Sequence, residues 1–170
     1  MPSIALFAAA VAAVPLGIAR HAIDLLTGLA AAKVTFRSRR ALREETSVQA
    51  DLGRAEALLR SGRAFLYEAL ADAWRVVSGG GTLDVAQRAL LRLAGTHAAH
   101  SAIQAVELMF NAGSSASVYE SAGFGRCLRD IRTAGQHIAV VTSNYEMAGQ
   151  AFLGFDMNMT TLLLMDDRGS

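Results

Sequence analysis

The sequence predicts an all-α protein, an up-down-up-down four-helix bundle. Apolar residues make up 52% of the chain but aromatic residues only 6%, so the core is built from Ala, Leu, Val and Ile. Only two prolines occur among 170 residues, which suits long helices because proline breaks them. Apolar residues recur at helical spacing in four long stretches, and the period-2 alternation typical of strands is absent. Such stretches joined by shorter connections are typical of a bundle.

The first helix is predicted from Ser3, a reasonable N-cap, to Lys33. Pro15 lies inside it and predicts a kink or a break near Val14. Residues 1–19 contain no charged side chain, which is also a property of signal peptides and membrane spans. However, no Lys or Arg precedes the apolar run, alanine dominates it, and helical spacing continues into Arg20. We therefore expect a buried helix that is either central in the bundle or part of an interface.

The second helix is predicted from Ser47 to Val77 and is followed by a glycine-rich loop. Thr82 is the expected N-cap of the third helix, with Asp84 in the first turn. This helix should end near Ala112, with Gly113 as its C-cap and a small, polar loop after it.

The fourth long helix is predicted from Arg126 to Gly154, so that residues 1–154 form the bundle domain and residues 155–170 an unassigned tail. At about 100° of rotation per residue, Ile131 and Ile138 fall on an apolar back. Two readings of the opposite, polar face stay open, a solvated face with salt bridges or a functional site. That face carries Arg126, Arg129, Asp130, Thr133 and His137.

Several functions find no support in the sequence. The net charge of +1 argues against electrostatic nucleic-acid binding, and one cysteine permits neither an intrachain disulfide nor a cysteine metal cage. No glutamate is followed by histidine at i+3, as a di-iron bundle requires. His97 and His100 alone are a weak metal signal, so no metal site is expected. The nucleophile elbow, the P-loop and the dinucleotide fingerprint are missing.

Four sequence segments form a combination that is specific when taken together. They are Gly17-Ile18-Ala19-Arg20, Val48-Gln49, Arg126-x-x-Arg129-Asp130-Ile131-x-Thr133-x-x-x-His137 and Tyr145-Glu146-x-x-Gly149. These segments resemble a known domain, the C-terminal helical domain of the acyl-CoA dehydrogenase superfamily in its type 2 form. This form occurs in flavin-dependent monooxygenases of the hydroxyphenylacetate and dibenzothiophene type. The resemblance covers about residues 4–154, and its most specific part is the Arg-Asp block with the following histidine.

The resemblance implies a domain that assembles into dimers or tetramers and helps to bind FAD or FMN, with a small aromatic or acyl substrate in the full enzyme. Acyl-CoA dehydrogenases often place a glutamate base shortly after the Arg-Asp pair, but no acid lies between Asp130 and Glu146. This difference favours a monooxygenase over an acyl-CoA dehydrogenase. His137 then faces the flavin or the substrate, where an imidazole can donate a hydrogen bond or take a proton. The alternative is a core histidine with its hydrogen bonds satisfied.

The resemblance also suggests which residues hold the cofactor. Arg129 and Asp130 could form a buried pair that fixes the helix, or an arginine here could reach a flavin phosphate. Arg126 is open to either role. The helix 1–2 connection offers Arg37 and Arg39 as flavin contacts, and Gln49 matches the family pattern but could equally be a solvated residue at the start of the second helix.

The family's N-terminal helical domain and β-barrel have no counterpart in 170 residues. We therefore expect a fragment or a stand-alone remnant that is catalytically inert by itself and cytoplasmic. The alternatives are a non-catalytic, self-associating helical domain and, less favoured, a protein anchored in a membrane through residues 1–19. We expect neither a membrane nor a nucleic acid as a partner.

Overall fold

A computed structural model of the chain describes residues 3–34 and 39–155, with side chains from Phe7 onward. These residues form helices and turns, with one isolated β-bridge between Val34 and Ala41 and no strand in the described ranges. The prediction of an all-α protein is confirmed. The long helices are α1 (Ser3–Ala32), α2 (Thr46–Ser78) and α3 (Val85–Ala112), and the shorter ones are α4 (Phe124–Ala134) and α5 (Ser143–Phe152), with 3₁₀ turns at Leu42–Glu44, Ser114–Val118 and Glu120–Ala122.

Contacts between the helices show the up-down-up-down order that the sequence predicts. Lys33, just after α1, donates from Nζ to the carbonyl oxygen of Gly113, just after α3, at 3.1 Å. Gly95 near the start of α3 faces Ala12 near the start of α1, so α1 and α3 are parallel. Gly62 in the middle of α2 packs on Ala98 in the middle of α3. Because only a short loop joins these two helices, they run in opposite directions.

Alanines line the buried face of α1 and allow close packing against α3. Ala12, Ala19 and Ala22 are completely buried. The other face of α1 exposes Phe7 and Val14, so the helix is buried on one side only. The predicted break at Pro15 is not found, since α1 is continuous through this buried proline.

One segment of the described chain, Phe7–Ala32 within α1, is long and apolar enough to cross a membrane by length and composition. Its most apolar window is 44% buried inside the bundle. Core helices of soluble proteins have the same properties, so this finding alone assigns no location.

The N-cap of α3 is Asp84, two residues later than predicted. Its carboxylate accepts a hydrogen bond from the backbone N–H of Gln87 at 2.7 Å, and the Gln87 side chain accepts one from the Asp84 N–H at 3.0 Å. This reciprocal capping box satisfies two N–H groups that a threonine at position 82 could not reach. The prediction of Thr82 as N-cap was therefore wrong.

The fourth helix is divided into two, and the prediction of one helix over residues 126–154 was wrong. Helix α4 ends at Ala134, and residues 135–142 form turns before α5 begins. A Cβ on Gly135 would lie 2.7 Å from Cδ1 of Ile103, so a larger residue here would require the end of that side chain to shift. As a result Ile131 is fully buried whereas Ile138, one heptad later, is 58% exposed.

Candidate functional site

The polar face of α4 lies beside α1 and forms with it an open groove, here called the α1/α4 groove. Gly123 begins α4 in the left-handed conformation (φ 78°) against Leu25 of α1. Residues of α1 line one side of the groove, and residues of α4 and the turn before it line the other. They are Val14, Gly17, Ile18 and His21 on the α1 side, and Glu120, Gly123, Arg126, Cys127, Arg129 and Asp130 on the α4 side.

Two of the predicted cofactor residues, Arg126 and Asp130, form the expected i, i+4 ion pair. Nε of Arg126 lies 3.5 Å from Oδ2 of Asp130, but both side chains are more than half exposed. Arg129 is also exposed, and its guanidinium has no hydrogen-bond or ion-pair partner among the residues that the structure describes. The interpretation of Arg129 and Asp130 as a buried structural pair is thus wrong, and Arg129 is available to a ligand.

His137 lies in the turn after α4, not on the helix with the arginines. Its half-buried ring packs against Phe7 of α1, with 5.6 Å between the ring centroids. The backbone N–H of Ala139 donates to Nδ1 of His137 at 3.1 Å. Because an accepting Nδ1 carries no proton, the hydrogen bond assigns the neutral ring its proton at Nε2.

Side chains of α3 and α5 bind three successive carbonyl groups of this turn. Arg92 donates from Nη2 to the Ile138 oxygen at 3.3 Å and from Nε to Oδ1 of Asn144 at 3.0 Å. Asn144 donates from Nδ2 to the Ala139 oxygen at 3.1 Å and to Oγ1 of Thr96 at 2.9 Å. Nε2 of His100 lies 3.1 Å from the Val140 oxygen and so donates to it.

This polar cluster is buried although it contains a formal charge. Arg92 is 6% exposed, Thr96 0% and Asn144 1%. Burial lowers the pKa of Arg92, and within residues 3–34 and 39–155 no carboxylate pairs with its guanidinium. Tyr145 packs its ring against His100, and burial raises the pKa of its hydroxyl.

The residues predicted in the helix 1–2 connection do not meet the α4 arginines. Arg39 is exposed and adopts a left-handed backbone conformation (φ 56°). Gln49 is exposed in the first turn of α2 and donates from Nε2 to the Arg43 oxygen at 2.9 Å. Both lie at the end of the bundle where α1 ends, whereas His137 lies near its start. Arg37 and the tail after Phe155 lie outside the described residues.

Sequence reasoning missed His21 and the cluster around Arg92. His21 follows Gly17 by four residues, so helical spacing from the quoted Gly17–Arg20 segment could have placed it on the same face. No local signal marks Arg92, Thr96 and Asn144 as partners. Within the described residues no three His, Cys, Asp or Glu side chains lie close enough to hold a metal ion.

A family profile described as the C-terminal domain of acyl-CoA dehydrogenase matches residues 9–142. The chain belongs to this family. The resemblance inferred from the sequence segments is confirmed, since the match covers most of the chain and includes both α1 and the polar face of α4.

Known proteins of this architecture share the fold and extend beyond the chain. An indole-3-acetate monooxygenase of Pseudomonas putida is 35% identical over 153 residues, which are 90% of this chain and 39% of that protein. XiaF from a Streptomyces species, solved with FADH2 and glycerol, superposes with a TM-score of 0.84 at 23% identity, over 90% of this chain and 39% of XiaF. The 3-HSA hydroxylase from Rhodococcus sp. RHA1 gives a TM-score of 0.82 at 18% identity, over 93% and 40%. The chain therefore spans about two fifths of these relatives.

Proposed function

We propose that this chain is the C-terminal, flavin-binding and oligomerisation domain of an acyl-CoA dehydrogenase-like flavin monooxygenase. Family membership and the indole-3-acetate monooxygenase relative support this proposal. The relative's substrate suggests a small aromatic substrate, and a complete active site requires the domains that make up the rest of such proteins. By itself the chain is catalytically inert.

The observation that carries the proposal is the His137 ring beside α1, which accepts from Ala139 at Nδ1. When bound, reduced flavin supplies the electrons with which oxygen is activated. The role of this chain is to present the Nε2–H of His137 as a fixed hydrogen-bond donor to the flavin or the substrate. Removal of a substrate proton by Nε2 would require the other tautomer and would break the bond from Ala139.

The α1/α4 groove suits the phosphate part of an elongated cofactor. The guanidinium of Arg129 has no partner within residues 3–34 and 39–155, and the N-terminal end of α4 adds a favourable dipole for an anion. From Arg126 to the end of α4 the helix rises about 12 Å, a length that an elongated cofactor can follow. FAD and FMN both combine a ring system with phosphate, and the groove's residues fit either.

Residues at the other end of the bundle are assigned to a second flavin contact. Arg39 and Gln49 are exposed where α1 and α2 join, far along the bundle from His137. We assign them, with Arg37, to a flavin held mainly by another domain or by a neighbouring subunit. Asp130 holds Arg126 and does not itself contact an anionic cofactor.

Exposed apolar side chains support assembly into a dimer or tetramer. Phe7 and Val14 on α1 are 57% and 56% exposed, and Tyr67 and Trp74 on α2 are 58% and 60% exposed. Residues 1–154 act as the assembly domain, with 155–170 as a tail. We place the protein in the cytoplasm, with no membrane and no nucleic acid as partner.

A second candidate function is a self-associating helical domain without a flavin, which the same exposed side chains favour. Acyl-CoA dehydrogenation is less well supported because the first acid after Asp130 is Glu146, on α5, where its carboxylate accepts from Gln150 at 3.2 Å.

A flavin titration separates these functions. The chain is titrated with oxidised and with reduced FAD and FMN, and binding is followed by flavin fluorescence or absorbance. We expect saturable binding that weakens about tenfold in His137→Ala and in Arg129→Ala, the value of one hydrogen bond to a charged or polar ligand group. Arg54→Ala, an exposed arginine on α2, is the matched control. Absence of binding by a folded oligomer would favour the assembly function instead.

A further inference from the structure

We propose that Arg92 and Asn144 are positioning residues that fix the orientation and the tautomer of the His137 imidazole. This inference rests on the proposed function of His137. The structure shows the connection directly, because the peptide groups that these side chains bind, 138–140, include the N–H that donates to His137.

Arg92 brings a positive charge into the core, where its guanidinium makes hydrogen bonds. Arg92 is buried and has no carboxylate partner within the described ranges, and removing a guanidinium from water costs several kcal/mol. An apolar side chain of similar length would avoid that cost but would leave the Asn144 and Ile138 acceptors without this donor. What it could not do is bind the Ile138 carbonyl and the amide of Asn144 together.

The polar cluster restrains the peptide next to the His137 imidazole on both sides. Arg92 binds the carbonyl of Ile138, which belongs to the same peptide group as the Ala139 N–H. Asn144 binds the carbonyl of Ala139 itself, and Thr96 fixes the amide of Asn144. The direction of the Ala139 N–H is thereby set, and with it the acceptor role of Nδ1 in His137.

Each hydrogen bond in this series fixes the orientation or the tautomer of the group that it joins next. The guanidinium only donates, so Oδ1 of Asn144 must face Arg92 and its Nδ2 must face Thr96 and Ala139. The Ala139 N–H only donates, so Nδ1 of His137 must be bare. A buried positive charge on α3 thus determines which ring nitrogen of His137 carries the proton.

Nitrogen-15 NMR of the four histidines in the whole chain tests this inference without any flavin. Long-range proton–nitrogen spectra distinguish the Nε2–H from the Nδ1–H tautomer, and the His137 signals are assigned by their loss in His137→Gln. We expect one tautomer, Nε2–H, in the wild-type chain. Asn144→Asp still accepts from Arg92 but can donate neither to the Ala139 carbonyl nor to Thr96. It should give mixed tautomers and about five- to tenfold faster exchange of the Ala139 amide, the net value of one hydrogen bond at that amide.

Two further variants complete the design. Arg92→Met keeps the volume, removes both donors and should give the same mixed tautomers even if Asn144→Asp fails to fold. Asn111→Asp makes the same chemical change at an exposed site on α3 and should leave His137 unchanged. Folded Asn144→Asp and Arg92→Met chains with wild-type His137 signals would overturn the inference. Flavin affinity is measured separately, so a failure of the proposed function would appear there while the tautomer result stands.

Discussion

Two isoleucines seven residues apart provide a sharp test of the break in the fourth helix. In one continuous helix Ile131 and Ile138 would share the apolar face and cost the same to truncate. In the structure Ile131 is fully buried, whereas Ile138 follows the helix end and is 58% exposed. The perturbation is therefore Ile131→Ala compared with Ile138→Ala.

The expected difference in unfolding free energy follows from burial. Truncation of isoleucine to alanine removes three carbon atoms, worth about 0.8 kcal/mol each when fully buried, or about 2.4 kcal/mol. The cavity left in the core at Ile131 raises the loss to about 3–4 kcal/mol. At Ile138 less than half of the side chain is buried and no closed cavity forms, so the loss is at most about 1 kcal/mol.

Urea denaturation followed by circular dichroism measures both losses. The m-value should stay constant, and the protein concentration is held fixed because self-association adds to the measured stability. A loss of about 3 kcal/mol in both variants would contradict the placement of Ile138 and would restore the continuous helix. Equal, small losses would contradict the burial of Ile131 in the core.

Three further variants or reagents test other contacts. Glu56→Gln should lower the unfolding free energy by about 0.5 kcal/mol at pH 7 in thermal melts. The hydrogen bond from Arg20 lowers the pKa of Glu56 below its ordinary 4.5. The stabilisation by the Glu56 carboxylate is therefore fully present above pH 4.5 and is lost as the pH falls through the lowered pKa. A stability difference between wild type and Glu56→Gln that persists at about pH 2 would contradict this contact. Asp84→Ala should cost about 1 kcal/mol by loss of the capping box, and Thr82→Ala close to nothing, and equal losses would reject the assigned cap. Burial raises the pKa of the Cys127 thiol, so a thiol reagent at pH 7 should react more than about tenfold faster in urea than in the native chain, and equal rates would place the thiol at the surface.

Much of the fold could be predicted because its signals are local. The glycine-rich loop after α2, the C-cap at Gly113 and the long apolar stretches each act through neighbouring residues. The break after Ala134 could not be predicted, because the helical pattern continues through it and the contacts that accompany the break come from residues far away in the sequence. Gly135 approaches Ile103 of α3, and Asn144 and Arg92 bind carbonyl groups that a helix would otherwise have satisfied.

The candidate site shows the same division. The face with Arg126, Arg129 and Asp130 was predicted correctly as a group on one helix, because α4 continues through those positions. Their exposure agrees with the reading of a solvated face with a salt bridge, but helical spacing alone could not decide between that reading and a functional site. Arg92 would be taken as a surface residue from its charge, and only the folded chain brings it to Asn144, 52 positions later.

The most direct test of the central claim maps flavin contacts on the chain itself. Reduced FAD or FMN is added to the nitrogen-15-labelled chain, and backbone amide shifts are recorded residue by residue. We expect saturable shifts in the α1/α4 groove and in the turn around His137, and shifts near Arg39 and Gln49 if the second contact forms. Shifts confined to the outer face of α2, or none from a folded chain at saturating flavin, would contradict a flavin site built on His137.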